Sequence, residues 1–200
     1  YTFTLRDDAR FHSGNRVTAE DVGFSLDRMK ALRSGVSYLF GSVEKAEALA
    51  ERTVRFTLST PYSPFVASLA RLAILDKKTV TANLGDGDGE MKDWGQAFLS
   101  GNAAGTGAYR VSAPNPQQET VMVKNADYFL GVPDAAPDTV RLRYGLEAAT
   151  VRTLIPRGEH DISSQWLPPE VLRSLGEDGA QFLTESGIGA FYIKMNTTKA

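Results

Sequence analysis

The chain has 200 residues, of which 42% are hydrophobic and 23% are charged, and its net charge is -2. This composition is ordinary for a globular protein with a sizeable core, and the scattered basic residues include no basic run of the kind that binds nucleic acid. The sequence contains no cysteine, which excludes disulfides and thiolate metal sites, and no apolar run of about 18 residues that could span a bilayer.

The N-terminal part of the chain predicts a strand, a tight turn and a helix. Phe3 and Leu5 alternate with polar residues, as in a half-buried strand, and a hairpin-like turn is expected around 13–15. Thr18 is placed to cap a helix whose first turn is acidic, which suits the positive end of the helix dipole. Apolar residues at helical spacing extend this helix to about residue 33.

The next part of the chain predicts a hairpin and a short helix. Residues 43–50 fit a helix by their alanines and charges, or a strand that pairs with 53–58, and we favour the strand. Two prolines then hold the connection extended, because each lacks an amide donor and biases its predecessor away from helix. A short helix is expected over 65–72.

The glycine-rich stretch 81–104 has the weakest pattern of the chain, and a helix around 91–100 is expected within it. Gly105 and Gly107 mark a sharp turn, where glycine is expected because it adopts unusual backbone angles. The elements expected after this turn are strands at 108–113, 119–125 and 140–146, helices at 147–155 and 168–175, and strands at 182–183 and 190–195.

Three short segments occur in a fixed order: VTAEDV at 17–22, GTGAYR at 105–110 and NADYF at 125–129. Together they resemble the family 5 extracellular solute-binding proteins, which capture peptides, nickel complexes or glycosides for ABC importers. Further segments are similar to the same family's pattern: YTFTLR with FHSG at 1–14, TVRFTL with PYSPF at 53–65, GEHDI at 158–162 and FYIKMNTT at 191–198.

The resemblance implies an α+β fold with mixed sheets and flanking helices, of the type II periplasmic-binding-protein kind with an extra accessory lobe. We expect residues 1–104 to form an accessory-lobe-like region and residues 105–200 to form part of the main ligand-binding lobe. Since chains of this family are much longer, we expect an internal fragment that lacks the signal sequence, the first strands of the main lobe and the second ligand-binding lobe.

Metal chemistry is not expected from the residues. His12 and His160 share no ligand spacing and are expected on the surface. Asp86, Asp88 and Glu90 alternate with glycines and have no bidentate glutamate at the spacing of a calcium loop, so a solvated loop is expected there.

Catalytic chemistry is not expected either. The turn at 105–107 lacks the Lys-Ser/Thr pair of a phosphate-binding loop, and no serine lies in a Gly-x-Ser-x-Gly motif. The carboxylate pair Glu20 and Asp21 is explained by helix capping, which leaves no evident acid and base couple.

Candidate ligand contacts come from the resemblance. The family's ligand-contacting segments match this chain at Tyr38, Gln165, Trp166, Tyr192 and Lys194, and exposed aromatic faces with a polar rim suit a concave ligand site. Burial of Trp166 and Tyr192 as ordinary core aromatics is the alternative. Lys194 would pair with a ligand carboxylate if it faces the cleft.

The favoured function is the extracytoplasmic or periplasmic solute-binding component of an ABC importer. Such a protein captures a peptide-like solute by lobe closure and delivers it to membrane permease subunits, without a cofactor, a catalytic step or a nucleic-acid partner. A lipid anchor is an open alternative to a free periplasmic form. The competing hypotheses are a glycoside- or peptide-active hydrolase and a solute-sensing domain on the same fold.

Overall fold

A computed structural model describes residues 1–115 and 117–184 of the chain. The chain divides into two compact units, the first comprising Tyr1–Tyr144 and the second beginning at Gly145, and each is described by itself. The boundary predicted near residue 104 lies within the first unit, and the assignment of residues to lobes stays a prediction. Among the residues described, no helix is long and apolar enough to cross a membrane.

Helices and strands are interspersed along the described chain, which confirms the α+β class. The strands are β1 (Thr2–Thr4), β2 (Val43–Ala50), β3 (Thr53–Leu58), β4 (Tyr109–Asn115), β5 (Glu119–Lys124) and β6 (Thr139–Arg143). The helices are α1 (Ala19–Leu32), α2 (Phe65–Ser68), α3 (Lys77–Thr81), α4 (Gln96–Leu99), α5 (Ala148–Leu154) and α6 (Pro169–Glu177), with 3-10 turns at Ser37–Phe40 and Leu69–Arg71.

The first sheet has the strand order β1-β3-β2, and its described pairings are antiparallel. The predicted pairing of 43–50 with 53–58 is confirmed, with Ala48 opposite Val54 and Ala46 opposite Phe56. Val54 and Phe56 are buried, whereas Arg55 between them is exposed. This alternation explains why the segment is a strand, since side chains on a strand point to opposite faces in turn.

Helix α1 covers one face of this sheet, and its predicted bounds are confirmed. Thr18 is the N-cap, and its amide and hydroxyl both donate to Asp21 Oδ2, at 2.8 and 2.7 Å. Val22 and Leu26 are buried in the main core, which also takes in side chains from the 3-10 turns and α2. The buried members of this core are Ala19, Val22, Leu26, Phe40, Val43, Val54, Phe56, Phe65 and Leu72.

A second, smaller core lies on the other side of α1. It contains Phe24, Val80 and Ala104, and the Trp94 ring lies 6.1 Å from the Phe24 ring between centroids. Val80 belongs to α3, a helix that the sequence patterns did not predict. Aromatic burial of this kind stabilises the packing of the glycine-rich stretch against α1.

The glycine-rich stretch 81–104 is ordered by the carboxylate of Asp93. Asp93 Oδ1 accepts hydrogen bonds from the amides of Gly85 and Gly95, and Oδ2 accepts one from the amide of Ala97, each at 2.8 Å. The helix that the sequence predicts over 91–100 is correspondingly short, because the chain turns at Gly95 before α4 begins.

The second sheet has the order β4-β5-β6, again with antiparallel pairings. The turn before it is where predicted, but the reason given for its glycines was wrong. Neither Gly105 nor Gly107 has a positive φ. Instead, the carbonyl oxygens of both residues accept hydrogen bonds from His12.

In the second unit, helices α5 and α6 contact each other, and each contributes one buried apolar side chain, Val151 and Leu175. Pro169 occupies the first turn of α6, as expected for proline at a helix start. The strand predicted at 182–183 was wrong, since these residues lie in an irregular segment. The strand predicted at 190–195 lies outside the described residues.

Candidate functional site

Tyr38 lies on the 3-10 turn that follows α1, and 76% of its surface is exposed. Two residues later Phe40 is fully buried in the main core, and Leu39 packs against the same core. The turn therefore anchors one aromatic residue and presents the other to solvent.

A lysine from α1 binds the start of β2, a few residues after this turn. Lys30 Nζ donates to the carbonyl oxygens of Val43, at 2.6 Å, and Glu44, at 3.0 Å. These bonds join α1 to the first residues of β2, and the buried Phe40 holds the turn that carries Tyr38 between them. An exposed aromatic residue on a fixed turn is suited to contact a ligand or another part of the protein.

Gln165 and Trp166 lie in the turn that precedes α6, in the second unit. The amide of Trp166 donates to Ser164 Oγ at 3.1 Å, and 73% of the Trp166 surface is exposed. Gln165 is also exposed. Within the described residues Trp166 is therefore not a core aromatic, which was the alternative to a ligand contact.

The remaining predicted contacts, Tyr192 and Lys194, lie outside the described residues. Tyr38 belongs to the first unit, and Gln165 and Trp166 belong to the second. A ligand role for all five residues stays a prediction.

The first unit contains a buried carboxylate hub that the sequence analysis missed. Asp76 is only 1% exposed, and its Oδ2 accepts hydrogen bonds from Ser13 Oγ at 2.6 Å, Asn15 Nδ2 at 2.9 Å and Thr79 Oγ1 at 2.6 Å. Its Oδ1 accepts from the amide of Thr79 at 3.1 Å, so Asp76 is also the N-cap of α3. The signal that could have found it is an aspartate three residues before a threonine, a common pattern at helix starts.

The hydrogen bonds control the ionisation of this carboxylate. Burial alone would raise the pKa of Asp76, but the bonds donated by Ser13, Thr79 and Asn15 outweigh burial and hold the pKa below its ordinary value. The hub therefore holds an ionised aspartate whose oxygens are already occupied by donors.

Asp21 extends the same network from the start of α1. Its Oδ1 accepts the amide of Lys77 at 2.9 Å, and its carbonyl accepts Ser25 Oγ at 2.7 Å. Ser25 Oγ in turn accepts the amide of Leu75 at 2.9 Å. These bonds join α1 to the segment that leads into α3, so Asp21 and Ser25 serve structure here.

Several open depressions mark the surface of the first unit, with volumes of about 390 to 550 Å³. One borders the Asp76 hub, with Arg16, Lys77 and Lys78 along its rim. Tyr38, Gln165 and Trp166 line none of these four depressions.

The predictions about metals can be compared with the geometry. Asp86, Asp88 and Glu90 are exposed, and among the described residues no group of histidine and carboxylate side chains is placed to hold a metal ion. His12 and His160, which were expected on the surface, are both partly exposed. His12 is half-buried, because it packs into the turn at 105–107 and hydrogen-bonds to Gly107. His160 is also half-buried.

The fold is that of part of a periplasmic binding protein. The chain belongs to the bacterial extracellular solute-binding proteins, family 5 Middle, whose family model matches residues 1–200.

Among curated proteins, the chain is similar to the probable D,D-dipeptide-binding periplasmic protein DdpA of Escherichia coli strain K12. The two are 31% identical over the whole of this chain, which covers 37% of DdpA. The chain thus spans somewhat over a third of the length of this relative.

Solved structures show the same similarity. The protein MoaA from A. tumefacien R10, in complex with mannopinic acid, is 27% identical with a TM-score of 0.75, over 88% of this chain and 34% of that one. DppA from Helicobacter pylori, in complex with peptide STSA, is 30% identical with a TM-score of 0.62, over 80% of this chain and 33% of that one.

Proposed function

We propose that these residues belong to the extracytoplasmic solute-binding component of an ABC importer, which captures a peptide-like solute and delivers it to the membrane permease. The observation that carries this proposal is the family match over residues 1–200. DdpA is named for D,D-dipeptide binding, and the structure of DppA is a complex with the peptide STSA. These two relatives support a peptide as the solute. The complex of MoaA with mannopinic acid makes another small solute the second candidate.

Capture would depend on closure of two lobes around the solute, with recognition by aromatic walls, backbone groups and a few charges. Residues 1–104 would form an accessory lobe, and residues from 105 onward would contribute to the main ligand-binding lobe. The second ligand-binding lobe would come from another part of the protein. A periplasmic or other extracytoplasmic location follows from this role, either as a free protein or held by a lipid anchor.

The ligand contacts would include Tyr38, Gln165, Trp166, Tyr192 and Lys194. The exposure of Tyr38 and Trp166 is compatible with their part in this set, because it leaves both rings accessible to a solute. In this proposal the aromatic rings supply contact area, and Lys194 supplies charge for a carboxylate of the solute.

The three carboxylates with the most hydrogen-bond donors serve structure and not catalysis. The oxygens of Asp21, Asp76 and Asp93 accept hydrogen bonds from neighbouring backbone and side-chain donors that hold the fold together. A hydrolase would need a carboxyl group free to exchange a proton with its substrate.

The experiment that tests this proposal is native mass spectrometry of the protein as its gene encodes it, purified without refolding. A peptide-sized adduct that is lost on denaturation supports the importer component and gives the mass of its solute. If the protein instead purifies without a bound solute and hydrolyses an added peptide or glycoside, the hydrolase hypothesis is supported.

A further inference from the structure

His12 connects the N-terminal hairpin to the turn before the second sheet. Its amide donates to the carbonyl oxygen of Gly105, and its ring Nε2 is paired with the carbonyl oxygen of Gly107, both at 2.9 Å. His12 therefore binds two carbonyl groups of the turn, that of Gly105 by its backbone and that of Gly107 by its side chain.

The chemistry of this contact assigns the ring's hydrogen. A carbonyl oxygen can only accept, so Nε2 of His12 must carry the proton that it donates to Gly107. The other ring nitrogen, Nδ1, is buried and has no hydrogen-bond partner among the described residues. The contact with Gly107 is thus the side chain's one directional interaction in the part of the chain that the structure describes.

Asn125, the residue after β5, binds the same turn. Its side-chain Nδ2 donates to the carbonyl oxygen of Gly107 at 3.2 Å, and its amide donates to the carbonyl oxygen of Ala108 at 2.8 Å. Asn125 is buried. The carbonyl of Gly107 therefore accepts two donors that come from segments on either side of it in the chain.

Two neighbouring contacts join the same parts of the first unit. The amide of Asp76 donates to the carbonyl oxygen of Ala104 at 2.9 Å, which ties the carboxylate hub to the start of the turn. The guanidinium of Arg6 lies 4.5 Å from the ring centroid of Phe129, in the turn after β5, at a distance where a cation and an aromatic face attract.

We propose that His12 is a positioning residue, which acts through Nε2 on Gly107 to set the placement of the second sheet against the first. The three sequence segments at 11–14, 105–110 and 125–129 meet at this point, so their shared role is to form one structural junction. This inference goes beyond the proposed function and does not depend on it, since it concerns how the first unit holds its two sheets.

The test compares two variants that differ in which ring nitrogen they replace. In His12→Gln the amide nitrogen is as many bonds from Cα as Nε2 and can still donate to Gly107. In His12→Asn the amide nitrogen is only as many bonds from Cα as Nδ1, so it cannot reach the carbonyl oxygen of Gly107. Hydrogen–deuterium exchange on the protein as its gene encodes it would follow the amides of residue 12 and Asn125, with the amides of Thr53–Leu58 in the first sheet as reference.

We expect His12→Asn to raise exchange about tenfold at residue 12 and Asn125, because a lost hydrogen bond makes local opening easier. The reference amides should exchange at the wild-type rate, and His12→Gln should restore the junction amides to within about threefold of wild type. The proposal is overturned if the two variants exchange alike, or if the reference amides speed up as much as the junction amides.

A second measurement uses the other side-chain donor to Gly107, so that the test does not depend on variants of residue 12 alone. Asn125→Ala removes the other donor to Gly107, and its combination with His12→Asn leaves that carbonyl without either side-chain donor. We expect the double variant to raise exchange at the amide of residue 12 by more than the product of the two single effects, since each single variant leaves one side-chain donor on the carbonyl of Gly107 and the double variant leaves none. Simple multiplication of the two effects would contradict a shared junction.

Discussion

The hydroxyl of Ser13 donates to Oδ2 of Asp76 at 2.6 Å, across 63 positions of sequence. This bond joins the turn of the N-terminal hairpin to the cap of α3. Since Asp76 also receives donors from Asn15 and Thr79, a single carboxylate connects the hairpin turn to the start of α3.

Replacing Asp76 by asparagine should destabilise the protein by about 2 kcal/mol or more, because an amide cannot accept all the donors that the carboxylate accepts. Urea unfolding at pH 7 measures this change. The matched control is Glu20→Gln, which removes an exposed carboxylate paired with Lys77 and should leave stability unchanged. Equal midpoints for Asp76→Asn and wild type would show that the hub contributes no stability.

The same variant predicts a pH dependence. The pKa of Asp76 is held below its ordinary value near 3.8, so its ionised form stabilises the fold above that pH and the contribution is lost as pH falls through the lowered pKa. The stability gap between wild type and Asp76→Asn should therefore be constant from pH 7 to about 5 and narrow below about 4. Urea titrations at several pH values measure it, with the exposed Asp88→Asn as control, and a gap unchanged down to pH 3 would contradict the prediction.

Gly95 and Gly105 should respond differently to alanine. Gly95 has a φ of 69°, and an added Cβ would lie too close to Val80 Cγ1 in the second core, so Gly95→Ala should cost about 2–4 kcal/mol. Gly105 has no positive φ and open space around it, so Gly105→Ala should be neutral or stabilise by up to about 1 kcal/mol. Thermal or urea unfolding compares the two variants. A large loss of stability in Gly105→Ala would contradict the prediction and favour the explanation that Gly105 is needed for its backbone angles.

Tyr38 and Phe40 offer a matched pair on one turn. Tyr38→Ala should change the free energy of unfolding by no more than about 0.5 kcal/mol, since the ring is mostly in water. Phe40→Ala should cost about 3–5 kcal/mol, because it leaves a cavity in the main core. A costly Tyr38→Ala would mean that another part of the protein covers this ring.

The two tryptophans separate binding from folding. If Trp166 contacts the solute, Trp166→Ala should lower affinity at least about tenfold while leaving unfolding unchanged. Trp94→Ala should lower the free energy of unfolding and leave the affinity unchanged, since Trp94 packs against Phe24 in the second core. Calorimetry with the solute found by native mass spectrometry measures the affinities. Full affinity in Trp166→Ala would remove this residue from the site.

Local patterns predicted the elements whose order comes from their own residues. Helix α1 follows from the Thr18 cap and an apolar stripe, and β2 pairs with β3 because Val54 and Phe56 alternate with polar residues. The ordered stretch around Asp93 could not be predicted in this way. Its fold depends on bonds from one carboxylate to Gly85, Gly95 and Ala97, which no periodicity records.

The candidate site was predicted less completely than the fold. The sequence placed Tyr38 and Trp166 by family resemblance, and their exposure agrees with a contact role without testing it. It did not find the hub at Asp76 or the contact of His12 with Gly107, because both need residues far apart in the chain to meet. Polar residues in a signature segment look alike in sequence whether they hold a ligand or a neighbouring loop.

The second unit has a property that matters for anyone who would divide the protein. Between residues 145 and 184 the apolar side chains that are buried are Val151 and Leu175, whereas Ile162 and Leu183 are 85% and 99% exposed. So small a core cannot offset the conformational entropy lost on ordering the chain. A peptide cut to residues 145–184 should therefore be a random coil by circular dichroism and an easy substrate for proteases.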